Sequence, residues 1–280
     1  RGSPFFYAFV AEARRRGGTR TVFLVQSRRL RKNLREAAEM FGGKKTVIFD
    51  MDGTLIDSVG VWNAVDVELV KRIGGGERDG GDLQRQRDAL LRERAASPDP
   101  YGDYCAYLKE NYASPLTADE IHRLRYRIAR DFLENVVDYK PRADEFVKAL
   151  KARGFRLAIA TATRRGTVDI YRTVNRNILA KAPLDEYFAP VYAREDVRAM
   201  KPDPEVYFRI LGDLGAAPAE CLIFEDSLVG VESARNAGIE AAAVYDRYAD
   251  ADRARIDALA DYRLRDYGEA IEILKRETSE

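Results

Sequence analysis

Short apolar runs alternate with segments of helical spacing along the second half of the chain, and one further apolar run lies near residue 46. A short apolar, β-branched run predicts a buried strand, and apolar residues three or four positions apart predict a helix. Strands are predicted at 46–49, 156–160, 190–192, 221–224, 240–245 and 262–264. Helices are predicted at 142–152, 166–180, 203–214, 229–237 and 268–276. Because strands that alternate with helices form parallel sheets, we expect an α/β fold with a Rossmann-like, doubly wound sheet.

Residues 59–139 interrupt this alternation, since their pattern is helical throughout. Helices are predicted over 61–73 and 82–96, and the motif Thr117-Ala118-Asp119-Glu120 predicts a capping box at the start of a third long helix. We interpret 59–139 as an inserted, all-helical domain, called the insert below. Residues 44–58 and 140–280 then form the core that it interrupts.

Residues 1–43 precede the alternating pattern and predict a helix, a strand at 21–25 and a second helix. Twelve Lys or Arg but only three Glu lie within residues 1–45, although the whole chain has a net charge of +1. The remaining residues therefore carry −8, and such a division of charge indicates different surroundings or partners. An anionic partner such as a nucleic acid is one interpretation of this basic leader, 1–43. We favour the other, a solvated basic face whose apolar stripe packs on the acidic remainder.

Histidine and cysteine are rare in the chain, which contains His122, Cys105 and Cys221. A zinc site built from several histidines is therefore excluded, and the two cysteines form neither a CxxC pair nor a disulfide framework. Sparse cysteine fits a reducing compartment. No apolar run approaches the roughly 20 residues of a membrane helix. We expect a cytoplasmic protein without a membrane span.

Polar residues recur where the predicted strands end. Asp50 and Asp52 follow the first strand, Thr161 the second, Lys201 the third and Glu225-Asp226 the fourth. In open α/β sheets, ligands bind beyond the carboxyl ends of the strands, so these side chains are expected to meet. Carboxylates without histidine or cysteine suit Mg²⁺ together with an anionic substrate. Of two carboxylates two residues apart, one can act as nucleophile while the other transfers the proton.

These residues carry a resemblance to the haloacid dehalogenase-like phosphatase superfamily. Asp50-Met51-Asp52-Gly53-Thr54-Leu55-Ile56-Asp57-Ser58 resembles its first motif and Ile159-Ala160-Thr161-Ala162-Thr163 its second. Lys201-Pro202-Asp203-Pro204 resembles the third motif, and the segment from Phe224-Glu225-Asp226-Ser227 to Ala234 the fourth. The four motifs occur in the family's order over about residues 44–277. The resemblance leaves out the basic leader and implies that the insert is the family's helical cap.

The resemblance also implies roles for individual residues. Asp50 would attack phosphorus and form an aspartyl-phosphate, and Asp52 would protonate the leaving oxygen and then activate water. Thr161 and Lys201 would bind the phosphoryl oxygens. Implied Mg²⁺ ligands are the Asp50 carboxylate, the Asp52 main-chain carbonyl, Asp226 and Glu225. Thr163, at the end of the second motif, and Arg164, directly after it, would touch the substrate.

The activity expected from this resemblance is Mg²⁺-dependent hydrolysis of a small phosphomonoester, a sugar phosphate, phosphoglycolate or nucleotide. One alternative is a phosphomutase of the β-phosphoglucomutase type, which shares the same polar residues. The first motif reads Gly53-Thr54-Leu55, whereas such mutases tend to carry Val directly after the glycine, so Thr54 favours hydrolysis over this alternative. The other alternative is a catalytically silent protein that keeps the fold and binds phosphate.

Overall fold

The computed structural model describes residues 40–94 and 97–276. Residues 43–271 form one compact unit, and a second unit comprises 1–42 and 272–280, of which the structure describes only 40–42 and 272–276. The helix, strand and helix predicted for the basic leader therefore lie outside the described residues. The two interpretations of its basic face, an anionic partner and the favoured packing on the acidic remainder, therefore concern residues outside that range as well.

A parallel sheet organises the compact unit, and it confirms the predicted α/β fold. Its strands are β1 Thr46–Phe49, β2 Arg156–Ala160, β3 Val191–Tyr192, β4 Cys221–Glu225, β5 Glu240–Val244 and β6 Tyr262–Leu264. Their order across the sheet is β3-β2-β1-β4-β5-β6, and every neighbouring pair is parallel. The chain therefore winds outward from β1 in both directions. In such a sheet the ligand crevice lies at the carboxyl ends of the strands on either side of the reversal, here β1, β2 and β4.

Helices fill the interval between β1 and β2. In the described part of the insert they are α1 Val59–Arg72, α2 Gly80–Glu93, α3 Pro100–Asn111 and α4 Ala118–Asn135. The predicted capping box begins α4: the backbone N–H of Glu120 donates to Thr117 Oγ1 at 3.2 Å, and that of Thr117 donates to Glu120 Oε2 at 2.8 Å. No helix among the described residues is long and apolar enough to cross a membrane.

Further helices cover the two faces of the sheet. They are α5 Ala143–Ala152, α6 Arg165–Thr173, α7 Arg176–Lys181, α8 Leu184–Tyr187, α9 Glu205–Leu214, α10 Leu228–Asn236, α11 Arg253–Leu259 and α12 Tyr267–Arg276. The prediction of a single helix over 166–180 is wrong, because the helix is interrupted at Asn175, between α6 and α7. The Asn175 side chain caps α7 by accepting from Ile178 N at 2.8 Å, and it donates to Leu133 O and Val137 O at 2.6 and 2.9 Å.

Strand β1 is buried on both faces, which explains its continuous apolar sequence. On one face the Phe49 ring stacks on Phe224 with centroids 5.0 Å apart, and both rings contact Phe146 of α5. On the other face Ile48 belongs to the buried cluster that includes Tyr207 of α9. Packing on both sides fixes the position at which β1 ends, and Asp50 follows there.

A buried carboxylate, Asp66, joins the helices of the insert. It lies on α1 and accepts hydrogen bonds from Arg87 Nη1 of α2 at 2.6 Å and from Arg125 Nε of α4 at 2.7 Å. The Arg125 guanidinium also lies 4.7 and 5.4 Å from the ring centroids of Trp62 and Tyr101, so α3 belongs to the same cluster. A buried charge is tolerated only when it is paired and hydrogen-bonded, and Asp66 meets both conditions.

Replacement of Asp66 by alanine tests this cluster. Asp66→Ala leaves two buried guanidinium groups without their carboxylate, so we expect the free energy of unfolding to fall by about 3–5 kcal/mol. The control is Glu68→Ala on the same helix, which breaks a surface pair with Arg72 and should cost less than about 1 kcal/mol. The side chains are 0% and 3% exposed in Asp66–Arg125 but 37% and 53% exposed in Glu68–Arg72. Urea denaturation measures both losses, and equal values would contradict the role given to Asp66.

Candidate active site

Three charged side chains from distant parts of the sequence meet at the carboxyl edge of the sheet. Asp50 follows β1, Glu225 is the last residue of the adjacent β4, and Lys201 lies in the loop between β3 and α9. The Lys201 ammonium donates to Asp50 Oδ1 at 2.8 Å and to Glu225 Oε1 at 2.5 Å. It also donates to Ala160 O, at the end of β2, at 2.9 Å. All three donors of the ammonium are therefore used at this edge.

Asp226 completes a buried cluster of carboxylates with Asp50 and Glu225. The three side chains each offer an oxygen, and these oxygens lie within 4.8 Å of one another. The structure thus brings together the three side chains that the sequence assigned to Mg²⁺. The fourth assignment concerns the main-chain carbonyl of Asp52, and the Asp52 side chain lies in a separate environment.

The pKa values in the cluster indicate an excess of negative charge. Burial, followed by the nearby Glu225 carboxylate, raises the pKa of Asp226 to about 7. Burial raises the pKa of Asp50 well above its ordinary value despite the attraction of Lys201. Burial would by itself lower the pKa of Lys201, but the Asp50 and Glu225 carboxylates raise it well above its ordinary value. One ammonium does not balance three carboxylates, so the cluster is suited to a bound cation.

The Glu225 carboxylate is held by close backbone packing as well as by Lys201. Its Oε2 accepts from the backbone N–H of Asp226 at 3.2 Å and from the hydroxyl of Ser227 at 3.1 Å. Gly230, in the first turn of α10, lies against the same carboxyl group, and a Cβ added there would overlap it. The glycine therefore provides the space that the Glu225 side chain occupies.

Asp52 lies two residues beyond Asp50 in a ring of hydroxyl groups. It accepts hydrogen bonds from the side chains of Ser58 and Thr163, and from Tyr171 OH at 3.3 Å. Burial raises the pKa of Asp52, although these three hydrogen bonds favour the charged form. A carboxyl group with a raised pKa is suited to proton transfer near neutral pH.

A tight turn separates the two aspartates from the insert. Gly53 has a φ of +89°, which favours glycine, and a Cβ at this position would lie 2.6 Å from Asp226 Oδ2. The next residue, Thr54, donates its hydroxyl to Asp226 Oδ1 at 2.7 Å. The turn after β1 is thereby joined to the carboxylate cluster.

The residues after β2 line the side of the site nearest the insert. Thr161 is buried, and its Oγ1 accepts from the backbone N–H of Thr163 at 3.1 Å. The Thr163 side chain reaches Asp52, as described above. Arg164 is half-exposed, and its Nη2 lies 3.9 Å from Asp99 Oδ1, just before α3 in the insert. Both residues predicted to touch substrate therefore lie beside Asp52 or at the border between core and insert.

Sequence reasoning missed several residues of this site. Ser58 and Thr54 lie inside the first motif, so their closeness in sequence to Asp50 and Asp52 was a usable signal. Tyr171 lies on the buried face of α6, where an aromatic residue at helical spacing indicates core packing. The contact of its hydroxyl with Asp52 depends on how α6 packs, which the local pattern does not reveal.

A parallel sheet with carboxylates at the ends of β1 and β4 and a lysine between them is the arrangement that the four sequence motifs predict. Residues 44–238 match the haloacid dehalogenase-like hydrolases. The chain belongs to this family.

Individual relatives agree with this assignment. The chain is 30% identical over 246 residues to Protein CbbY of Rhodobacter capsulatus, covering 81% of this chain and 95% of the relative. It is 29% identical over 207 residues to a phosphorylated carbohydrates phosphatase of Thermotoga maritima, covering 70% of this chain and 82% of the relative. Among solved structures, a proposed β-phosphoglucomutase from Thermotoga maritima has a TM-score of 0.66 at 27% identity. The match covers 83% of this chain and 99% of that structure's chain.

Replacement of Gly230 tests the packing around Glu225. Gly230→Ala places a methyl group where the Glu225 carboxylate lies, so we expect the free energy of unfolding to fall by about 1–3 kcal/mol. The control is Gly212→Ala in α9, where a Cβ meets no atom within 4 Å. That variant should be stabilised by up to about 1 kcal/mol, since alanine favours a helix over glycine. Urea denaturation measures both, and a neutral Gly230→Ala would show that Glu225 is not confined there.

Proposed function

We propose that the protein is a Mg²⁺-dependent phosphatase that hydrolyses a small phosphomonoester through an aspartyl-phosphate on Asp50. The observation that carries this proposal is the buried arrangement of Asp50, Lys201, Glu225 and Asp226 at the carboxyl edge of the sheet. Membership of the hydrolase family and the phosphatases among its relatives support the same reaction. We also propose a cytoplasmic location, and a core of 44–58 and 140–280 that carries the insert as its cap.

The residues of the carboxylate cluster fit Mg²⁺. Their donor atoms are all oxygens, and the raised pKa of Asp226 reflects burial first and the nearby Glu225 carboxylate second, both of which a cation would offset. Asp50, Asp226 and the main-chain carbonyl of Asp52 would hold the ion, with Glu225 beside them. When bound, Mg²⁺ would neutralise charge on the phosphoryl group and orient it for in-line attack.

The chain's own residues divide the reaction into two displacements. In the first, a carboxylate oxygen of Asp50 forms a bond to phosphorus while the bond from phosphorus to the leaving oxygen breaks, and Asp52 donates a proton to that oxygen. In the second, water attacks phosphorus, gives its proton to Asp52 and releases the Asp50 carboxylate and inorganic phosphate. Lys201 and Thr161 bind phosphoryl oxygens, whose charge increases in the transition state.

Within the expected substrates we favour sugar phosphates over phosphoglycolate and nucleotides. Relatives include proteins named as a phosphorylated carbohydrates phosphatase and a fructose-1-phosphate phosphatase. Arg164 and Thr163 are the proposed substrate contacts, because Arg164 lies where the core meets the insert and Thr163 lies beside Asp52.

A β-phosphoglucomutase-type activity is the second candidate, and the Thermotoga maritima structure described above favours it. A mutase interconverts hexose 1- and 6-phosphates without net release of phosphate. Phosphate release that outpaces interconversion would support hydrolysis, and the reverse would support the mutase.

Phosphate release from p-nitrophenyl phosphate tests the proposal. We expect activity with Mg²⁺, loss of that activity on chelation and recovery when Mg²⁺ is restored. Asp50→Asn removes the nucleophile and should lower kcat by about 10³-fold or more. The control is Asp57→Asn, an exposed carboxylate of the same motif, which should retain activity.

Two outcomes would contradict the proposal. Full activity in Asp50→Asn would exclude Asp50 as the nucleophile. A folded wild-type protein without activity on any phosphomonoester of a metabolite panel would favour the catalytically silent alternative.

A further inference from the structure

Lys140 follows the insert and carries a buried ammonium that the proposed reaction does not use. Its side chain is 11% exposed. The ammonium donates to the main-chain carbonyl of Gly53, to Asp246 Oδ2 at 2.7 Å and to Tyr245 O at 3.2 Å. An ammonium has three donors, so all of them are satisfied inside the protein. Lys140 is therefore not available as a free cation for substrate.

The Gly53 carbonyl belongs to the turn that carries Asp52. Lys140 contacts this turn a second time, because its backbone N–H donates to Leu55 O at 3.0 Å. On its other side the turn meets Asp226, which accepts from Thr54 and leaves no room for a Cβ on Gly53. The turn is thus held between the carboxylate cluster and the Lys140 ammonium.

Backbone pairing joins the end of this turn to the segment that leads from the insert back to the core, directly before Lys140. Residue Ile56 pairs with Tyr139 in an antiparallel bridge, and Asp57 N donates to Asp138 O at 2.9 Å. Lys140 comes directly after this pairing. Its partner Asp246 is buried in the loop after β5 and also accepts from Tyr248 N at 2.7 Å.

We propose that Lys140 is a positioning residue that acts through Gly53 to place Asp52 for proton transfer. The ammonium fixes one end of the turn to the loop after β5, in which Asp246 is buried, so that the Asp52 backbone keeps one distance from a bound phosphoryl group. Misplacement of a catalytic group by about 1 Å can cost about 10²-fold in rate, so a tie one residue from Asp52 has a measurable effect. This inference rests on the proposed function, in which Asp52 is the proton donor.

The test compares two substrates whose leaving groups depend differently on proton donation. Phenyl phosphate releases a basic phenolate that needs the proton, whereas the p-nitrophenolate of p-nitrophenyl phosphate is stable without it. In Lys140→Met we expect kcat/KM for phenyl phosphate to fall at least about tenfold more than kcat/KM for p-nitrophenyl phosphate. A merely structural loss lowers the amount of active enzyme and leaves the ratio of the two values unchanged.

Lys44→Met is the matched control. The Lys44 side chain is 6% exposed. Its ammonium forms a salt bridge with Glu240 at 3.0 Å and donates a hydrogen bond to Ala219 O at 2.9 Å. Like Lys140, it therefore contacts a carboxylate and a carbonyl. It precedes β1, however, and so lies at the amino ends of the strands, opposite the site. We expect Lys44→Met to lower stability and to keep the wild-type ratio of kcat/KM values.

A double variant covers the case in which Lys140→Met does not fold. Lys140→Met leaves the buried Asp246 carboxylate unpaired, and Lys140→Met/Asp246→Asn replaces that charge with a neutral amide. We expect the double variant to fold and to show the same selective loss on phenyl phosphate. A wild-type ratio in the folded variant, or an equal change of ratio in Lys44→Met, would overturn the proposal. Absence of wild-type activity on both substrates would instead refute the proposed function.

Discussion

A single ammonium group, that of Lys201, allows three carboxylates to share a buried volume at the edge of the sheet. Asp50 and Glu225 lie at the ends of adjacent strands and would repel each other without the charge that both of them contact. Breaking a buried pair of this kind by removing one partner commonly costs about 3–5 kcal/mol. The rest of the site is arranged around this constraint: Gly230 leaves space for Glu225, and Gly53 lets the turn pass beside Asp226. The remaining negative charge makes the cluster suitable for a divalent cation.

The two aspartates of the first motif have different surroundings, which supports the different roles proposed for them. Asp50 faces the lysine and the other carboxylates, whereas Asp52 faces the hydroxyl groups of Ser58, Thr163 and Tyr171. A pair of carboxyl groups whose environments differ in this way can divide nucleophilic attack and proton transfer between them. The turn at Gly53 follows both aspartates, and the Lys140 ammonium donates to its main-chain carbonyl.

Much of this arrangement could be predicted from the sequence, because it follows from strand ends. The apolar runs predicted the strands. The polar residues that follow or end these strands then pointed to Asp50, Thr161 and Glu225. Long-range packing could not be predicted in the same way. The break at Asn175 depends on carbonyl groups at the end of α4, and the contact of Tyr171 with Asp52 depends on the packing of α6. Lys140 follows a helical segment, and no local pattern indicates that its ammonium reaches Gly53.

Covalent trapping of the phosphoenzyme tests the central assignment, which is that Asp50 is the nucleophile. The protein with Asp52→Asn is mixed with Mg²⁺ and radiolabelled acetyl phosphate, whose leaving group needs no proton, and is quenched in acid. Without Asp52 to activate water, the phosphoenzyme should accumulate, with the label on the peptide that contains Asp50. The label should be absent when Asp50→Asn is added to the same variant. A label on another residue, or one that persists in the double variant, would contradict the account.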